Sequence, residues 1–174
     1  MTNYTIVNTT KADLEMIYSF FEEAISYQKR KQYKVWNGYD KGALQRDIEA
    51  KLQYKVVDND ANILCVFSVC YADPVIWREK EQQNAIYLHR IVVNPQHKGQ
   101  KQFEKIVDWA KATAKEKNLR FIRMDTWGDN PQIIAYYTSF GFNFVENYTT
   151  PSSEELPSQH RNLYLALLQL EIER

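Results

Sequence analysis

Tyr137 sits in the run NPQIIAYYTSFGF (130–142), where an asparagine and a proline open a short helix and Gly141 ends it. A phenol held in place can hand a proton to a departing anion. Tyr137 lies four residues after Ile133 and three after Ile134, so it shares their helical face and points inward. Core packing, with the hydroxyl tied to a backbone group, is the other reading of that position. Upstream, AIYLHRIVV (85–93) runs through the short loop NPQHKGQK into a helix. A helix start offers unpaired N–H groups and the positive end of the helix dipole, which suit phosphate oxygens. The local charge agrees: from Gln96 to Arg123 there are eight Lys/Arg against three acids. A solvated basic helix face is the competing reading. His89, in the strand, is a neutral base near pH 7 or a hydrogen-bonded sheet histidine.

Other chemistries are excluded by composition and spacing. The five glycines make neither G-x-G-x-x-G nor G-x-x-x-x-G-K-[ST], which removes the common dinucleotide and Walker sites. His89, His97 and His160 lie far apart and have no zinc spacing with a cysteine or with each other, so no metal is expected. Cys65 and Cys70 occupy one apolar run, five positions apart; in a strand they face opposite ways and form no disulfide. Lys+Arg and Asp+Glu balance at 22 each, which argues against a general nucleic-acid binder. No apolar run reaches the ~18–20 residues of a membrane span, and the N-terminus lacks the layout of a signal peptide. A cytoplasmic protein of one domain, residues 1–174, is the expectation.

The elements that must position these residues follow from periodicity. YTIVNT (4–9) reads as a strand. Thr10 opens a capping box before Leu14, Ile17, Tyr18, Phe21 and Ile25 recur at helical spacing. Asp40 caps a second helix over 41–52, and strands at 54–58 and 63–72 form a hairpin. Residues 73–84 read as a loop. A helix spans 99–118, a strand 121–127, a helix begins at 130, and strands at 142–148 and 161–172 close the chain. The expected fold class is mixed α/β: a central, mostly antiparallel sheet of about seven strands with about four helices.

Residues 85–145 resemble the GNAT superfamily of N-acetyltransferases, which move an acetyl group from acetyl-CoA, usually to an amine. The family's loop motif, V-x-P-x-[YF]-[RQ]-G-x-G-x-G, is met here by Val93, Pro95 and Gly99, with Lys98 at the Arg/Gln position. Lys101 and Phe103 replace the two later glycines. The closing motif, N-x-x-A-x-x-x-Y-x-x-x-G-F, is matched by Asn130, Tyr137, Gly141 and Phe142, with Ile133 at the alanine. The resemblance implies a GNAT-like acyltransferase fold, with acetyl-CoA as co-substrate and no metal. Main-chain amides of Gly99, Gln100, Lys101, Gln102 and Phe103, with Lys98, would hold the pyrophosphate. Negative φ angles at positions 101 and 103 would keep that cradle, and a weakened CoA site is the competing outcome. Phe103 is expected to turn into the core.

By the same resemblance, Ile91, Val92 and Val93 bind the pantetheine arm and an N–H near Val92 steadies the carbonyl oxygen. Asn130 contacts the cofactor, and Tyr137 is the acid for the departing thiolate. His89 stands near the family's usual glutamate base. Trp36, Tyr39, Asp125 and Trp127 are expected around the acceptor, in or beside variable loops (27–42, 73–84, 149–161). Asp40, Asp73, Glu79 and Glu81 read as surface carboxylates or cation attractors. The expected partner is a small-molecule or peptide amine, with no nucleic acid and no membrane. Monomer and homodimer both fit, since the leucine-rich last strand can pair across a dimer or complete the sheet. The alternative function is a catalytically inactive CoA-binding or protein-interaction domain of the same fold.

Overall fold

The structure, a computed structural model, describes residues 3–36 and 38–173. Seven strands and five α-helices occur among the described residues. They run β1 (Tyr4–Asn8), α1 (Leu14–Arg30), α2 (Lys41–Glu49), β2 (Gln53–Asp58), β3 (Ile63–Cys70) and α3 (Pro74–Trp77). Then come β4 (Ala85–Val93), α4 (Gln102–Glu116), β5 (Phe121–Trp127), α5 (Pro131–Thr138), β6 (Asn143–Thr149) and β7 (Tyr164–Glu171). The strands form one sheet in the order β1-β2-β3-β4-β5-β7-β6. Five of its ladders can be read directly: β4 and β5 pair in parallel, while β1–β2, β2–β3, β5–β7 and β6–β7 are antiparallel. The expected mixed, mostly antiparallel sheet is present.

Local chemistry explains the boundaries. Asp13 accepts from the Thr10 amide at 2.8 Å, and a 3-10 turn over Lys11–Asp13 leads into α1. Helix α1 continues past Ile25 into the basic stretch as far as Arg30. Asp40 caps α2 by accepting from the Ala43 amide at 2.9 Å. That helix stops at Glu49, short of residue 52, because Lys51 takes a left-handed φ of 58° before β2 begins. Residues 73–84 are not a plain loop: Asp73 caps the four-residue α3, and a 3-10 turn over Arg78–Lys80 follows. The helix expected over 99–118 is narrower, Gln102–Glu116.

Contacts gather the chain into two compact units: residues up to Val69 with His89–Ile106, and Cys70–Leu88 with Val107 onward. In the first, Ile17, Phe20 and Phe21 of α1 pack with Leu44, Val66 and Val92. In the second, Trp77, Tyr87, Phe121, Leu165 and Leu167 form the core. Fully burying such a side chain contributes about 1.5–3 kcal/mol. Neither cysteine is in a disulfide; burial pushes Cys65 up to about 12, so it is inert near neutral pH.

Candidate active site

In the first unit β4 leads into the loop of the phosphate motif. Ala85–Leu88 are buried in a row, whereas His89, Arg90, Ile91 and Val93 are half-buried, and Arg90 has a left-handed φ of 48° within the strand. Arg90 is held there by an ion pair to Asp47 of α2 at 2.8 Å. The end of the strand is pinned by Asn94, whose amide donates to the Leu64 carbonyl and whose side chain donates to the Ile63 carbonyl at 2.8 Å. Asn94 also accepts from the Gln96 amide, closing the 3-10 turn Pro95–His97.

The loop departs at position 101 from the negative φ under which the cradle is expected to persist, while Phe103 keeps a helical angle inside α4. Lys101 adopts a φ of 55°, and Gly99 one of 76°. A left-handed lysine costs about 1–2 kcal/mol that a glycine would avoid. Position 101 thus keeps the backbone conformation that glycine favours, without the glycine. A Cβ added at Gly99 would meet nothing within 4 Å, so the space before the loop is open. Phe103 lies in α4 and is buried, as its helical spacing with Ile106 implied. Gln102, also buried, donates to the His97 carbonyl and accepts from Lys105, which ties the helix start to the loop. Gly99, Gln100 and Lys101 are exposed, so open loop, helix start and lysine suit a phosphate ligand.

Beside this loop lies a cleft of about 260 Å³, lined by Ala24, Tyr27, Gln28, Tyr33 and Trp36 together with Ile91–Val93, Pro95 and Lys98. Trp36 is one of the lining residues, and its amide donates to Gln28 Oε1 at 2.9 Å. Tyr39 does not line this cleft. It stacks on Phe21 at 5.2 Å and donates to Glu22, and burial with that carboxylate raises its phenol to about 12. Tyr27, Gln28 and Tyr33 were missed as individual residues. Ala24, Tyr27 and Gln28 share one face of α1, a spacing legible only once the helix is carried past Ile25. The ammonium of Lys98 sits 3.6 Å from the Tyr27 ring centroid.

The second unit holds Asp125, Trp127, Asn130 and Tyr137. Asn130 caps α5, accepting from the Ile133 amide at 3.1 Å, so its oxygen has a structural task and its amide N–H groups are the part left to address a ligand. Tyr137 is half-buried and edge-on to Tyr136 at 5.3 Å; no residue of α5 is fully buried. Trp127 packs on the core around Trp77 and Tyr87. Asp125 is the perturbed acid: desolvation, and then the charge of Asp73, push it up to about 7. Burial likewise raises Asp73 to about 6, aided by Glu81.

Two surface expectations are corrected in this unit. Arg123 belongs to no basic helix face: it is 4% exposed, within 4.4 Å of the Trp77 ring, and donates to the Tyr87 hydroxyl and the Lys80 carbonyl. Glu81 accepts from Tyr87, from the Asp73 amide and from Gln83. Desolvation would raise Glu81, but those donors and Arg123 hold it low. No group of three or more His, Cys, Asp or Glu is placed to hold a metal among the described residues.

Residues 20–142 match the model of the acetyltransferase (GNAT) family, and the chain belongs to that family. It is therefore an acyltransferase. It is similar to the uncharacterized N-acetyltransferase YesJ of Bacillus subtilis (strain 168), 23% identical over 163 residues, spanning 83% of this chain and 91% of the relative. A GNAT-family acetyltransferase of Listeria monocytogenes 4b F2365 shares the fold with TM-score 0.79 at 18% identity, over 97% of this chain and 95% of the other. The spermidine N-acetyltransferase of Vibrio cholerae in complex with CoA and spermine gives TM-score 0.65 at 14% identity, over 97% and 95%. Among the described residues no helix is long and apolar enough to cross a membrane.

Proposed function

We propose that this chain is an N-acetyltransferase that moves an acetyl group from acetyl-CoA to an amine acceptor, both bound at once. The observation that carries the reading is the exposed loop Gly99–Lys101 leading into the start of α4, where backbone N–H groups and a nearby lysine suit a phosphate. Both units belong to one catalytic domain on this reading, since β4 and α4 each run from one into the other.

Acetyl-CoA supplies the acyl thioester. Amides of Gly99–Phe103, with the ammonium group of Lys98, bind the pyrophosphate oxygens. Main-chain groups of Ile91–Val93 orient the pantetheine arm, and the Val92 N–H donates to the carbonyl oxygen as negative charge builds there. His89 accepts the amine's proton, directly or through water. The Tyr137 hydroxyl donates one to the leaving sulfur, a step typically worth ~10²–10⁴-fold. Asn130 addresses the cofactor through its amide N–H groups, and the acceptor enters beside Trp36.

The test is the unfolding midpoint with saturating acetyl-CoA, CoA and 3′-phosphoadenosine, followed by CoA release across a panel of amines. A ligand at ~100 times Kd adds about 2.7 kcal/mol, several degrees for a chain of this size. A shift with CoA species and release with at least one amine is expected. Binding without release from any amine would favour the inactive CoA-binding domain, and no shift at all would overturn both.

A further inference from the structure

Nine residues other than glycine take a left-handed φ among the described residues; eight sit in turns, loops or the start of a 3-10 helix, and Arg90 alone lies inside a strand. That strand, β4, is the fourth of seven in the sheet, so the angle does not belong to a fraying edge. Arginine rarely adopts it, and such a residue persists only where its surroundings hold it. In the first unit the hold comes from α2: the Arg90 guanidinium donates to Asp47 at 2.8 Å, with both side chains half-buried. Helix α2 is itself fixed against the strands. Leu44, one turn before Asp47, packs in the core that contains Val92, two residues after Arg90. The Asp47 carbonyl accepts from the Leu52 amide, and the Leu52 carbonyl accepts from the Val69 amide of β3. Asp47 therefore presents its carboxylate from a helix end that is tied to the sheet.

We infer that Asp47 is a positioning residue of the acetyl transfer: through its ion pair it holds Arg90 in the left-handed region, and so fixes His89 relative to the main-chain groups of Ile91–Val93. The inference rests on the acetyltransfer reading and adds to it a residue of α2 that touches no substrate. His89, the proton acceptor of that reading, directly precedes Arg90, and the groups that orient the donor's arm and steady its carbonyl oxygen directly follow. Rotation about the N–Cα bond of residue 90 turns one set against the other. Loss of the ion pair lets Arg90 return to a negative φ, and proton removal and oxyanion stabilisation then lose their alignment. The phosphate loop begins beyond Asn94, which β3 pins independently of Asp47, so CoA affinity depends far less on the pair than turnover does.

The experiment is a double-mutant cycle between positions 47 and 90. Turnover is followed as CoA release with the amine that reacts fastest, CoA binding by direct titration, and every variant is assayed well below its unfolding midpoint. Asp47→Ala should lower kcat at least about tenfold and change the Kd for CoA less than about threefold. Arg90→Gly takes the left-handed angle without a clamp and should keep kcat within about threefold of wild type. Asp47→Ala in the Arg90→Gly background should then have no further effect. The exchange Asp47→Arg/Arg90→Asp should recover most of the rate lost in Asp47→Ala, because aspartate tolerates that angle better than most side chains. Where the alanine variant does not fold, Asp47→Asn replaces it in both backgrounds under the same criteria. Equal losses in both backgrounds overturn the inference, as does an unchanged kcat or a Kd that rises in step with the fall in kcat. If no amine releases CoA, the acetyltransfer reading falls, and backbone amide resonances decide the clamp separately. Asp47→Ala should displace those of His89–Val93 when Arg90 is present and leave them in place in Arg90→Gly; displacement in both or in neither refutes the clamp.

Discussion

Lys101 and Tyr137 carry unequal shares of the proposed chemistry, and single substitutions separate them. The hydroxyl of Tyr137 is assigned a proton that moves only in the transition state, so Tyr137→Phe should lower kcat by more than tenfold and leave acetyl-CoA affinity nearly unchanged. Steady-state rates beside a direct Kd measurement check this, and an unaltered kcat removes the acid role. Lys101 works through its backbone. Lys101→Gly relieves a left-handed side chain and should keep both stability and acetyl-CoA binding. Lys101→Val places a β-branched residue at the same angle and should cost about 1–2 kcal/mol relative to the glycine variant, with weaker donor binding. Urea unfolding and a CoA titration on the pair read both effects. The residue types in these motifs were legible in the sequence, but the backbone angle at position 101 was not. Lysine strongly prefers negative φ, and only the surrounding turn, from Asn94 to the buried Gln102, imposes the other sign.

Among the elements, the helices with a long periodic face were legible and the short ones were not. Helix α4 shows Phe103, Ile106, Val107, Ala110 and Ala114 on one side, all buried. Helix α3 has four residues, too few for any period, and its one sequence signal was the Asp73-Pro74 start. Helix α5 depends on its cap, which gives a test of what Asn130 does. Asn130→Asp keeps an oxygen for the Ile133 amide and loses the N–H groups, whereas Asn130→Ala loses both. The alanine variant should be destabilised by about 1 kcal/mol and the aspartate variant hardly at all. Both should raise the KM for acetyl-CoA if the amide group addresses the cofactor; a KM that moves only with stability reduces Asn130 to a cap. The left-handed position in β4 was equally hidden, because nothing in AIYLHRIVV signals a left-handed Arg90 fixed by an aspartate 43 positions earlier.

For the molecule as a whole, the raised carboxyls set how stability responds to pH. Desolvation with the Asp73 charge takes Asp125 up to about 7, and Asp73 itself reaches about 6, against about 4 in an unfolded chain. Between those values the folded state binds more protons, so this pair's contribution is fully present below about pH 4 and is lost as pH rises through 6 to 7. Asp13, Glu81 and Glu146 are held low instead and contribute in the opposite sense, losing their share in acid. The difference between Asp125→Asn and wild type isolates the first effect. The variant should melt several degrees higher at pH 8 and nearly equally at pH 4; an offset that does not vary with pH would refute the assignment. Fold class was legible at this scale, while strand order was not, since no local pattern says that β7 pairs with both β5 and β6. That order has a consequence for synthesis. The strands on either side of β7 leave the ribosome before it does, each with a row of backbone groups that waits for a partner. The second unit cannot close its sheet until Tyr164–Glu171 has been made, so a nascent chain paused before that point presents two sticky edges to whatever chaperone or neighbouring chain reaches them first.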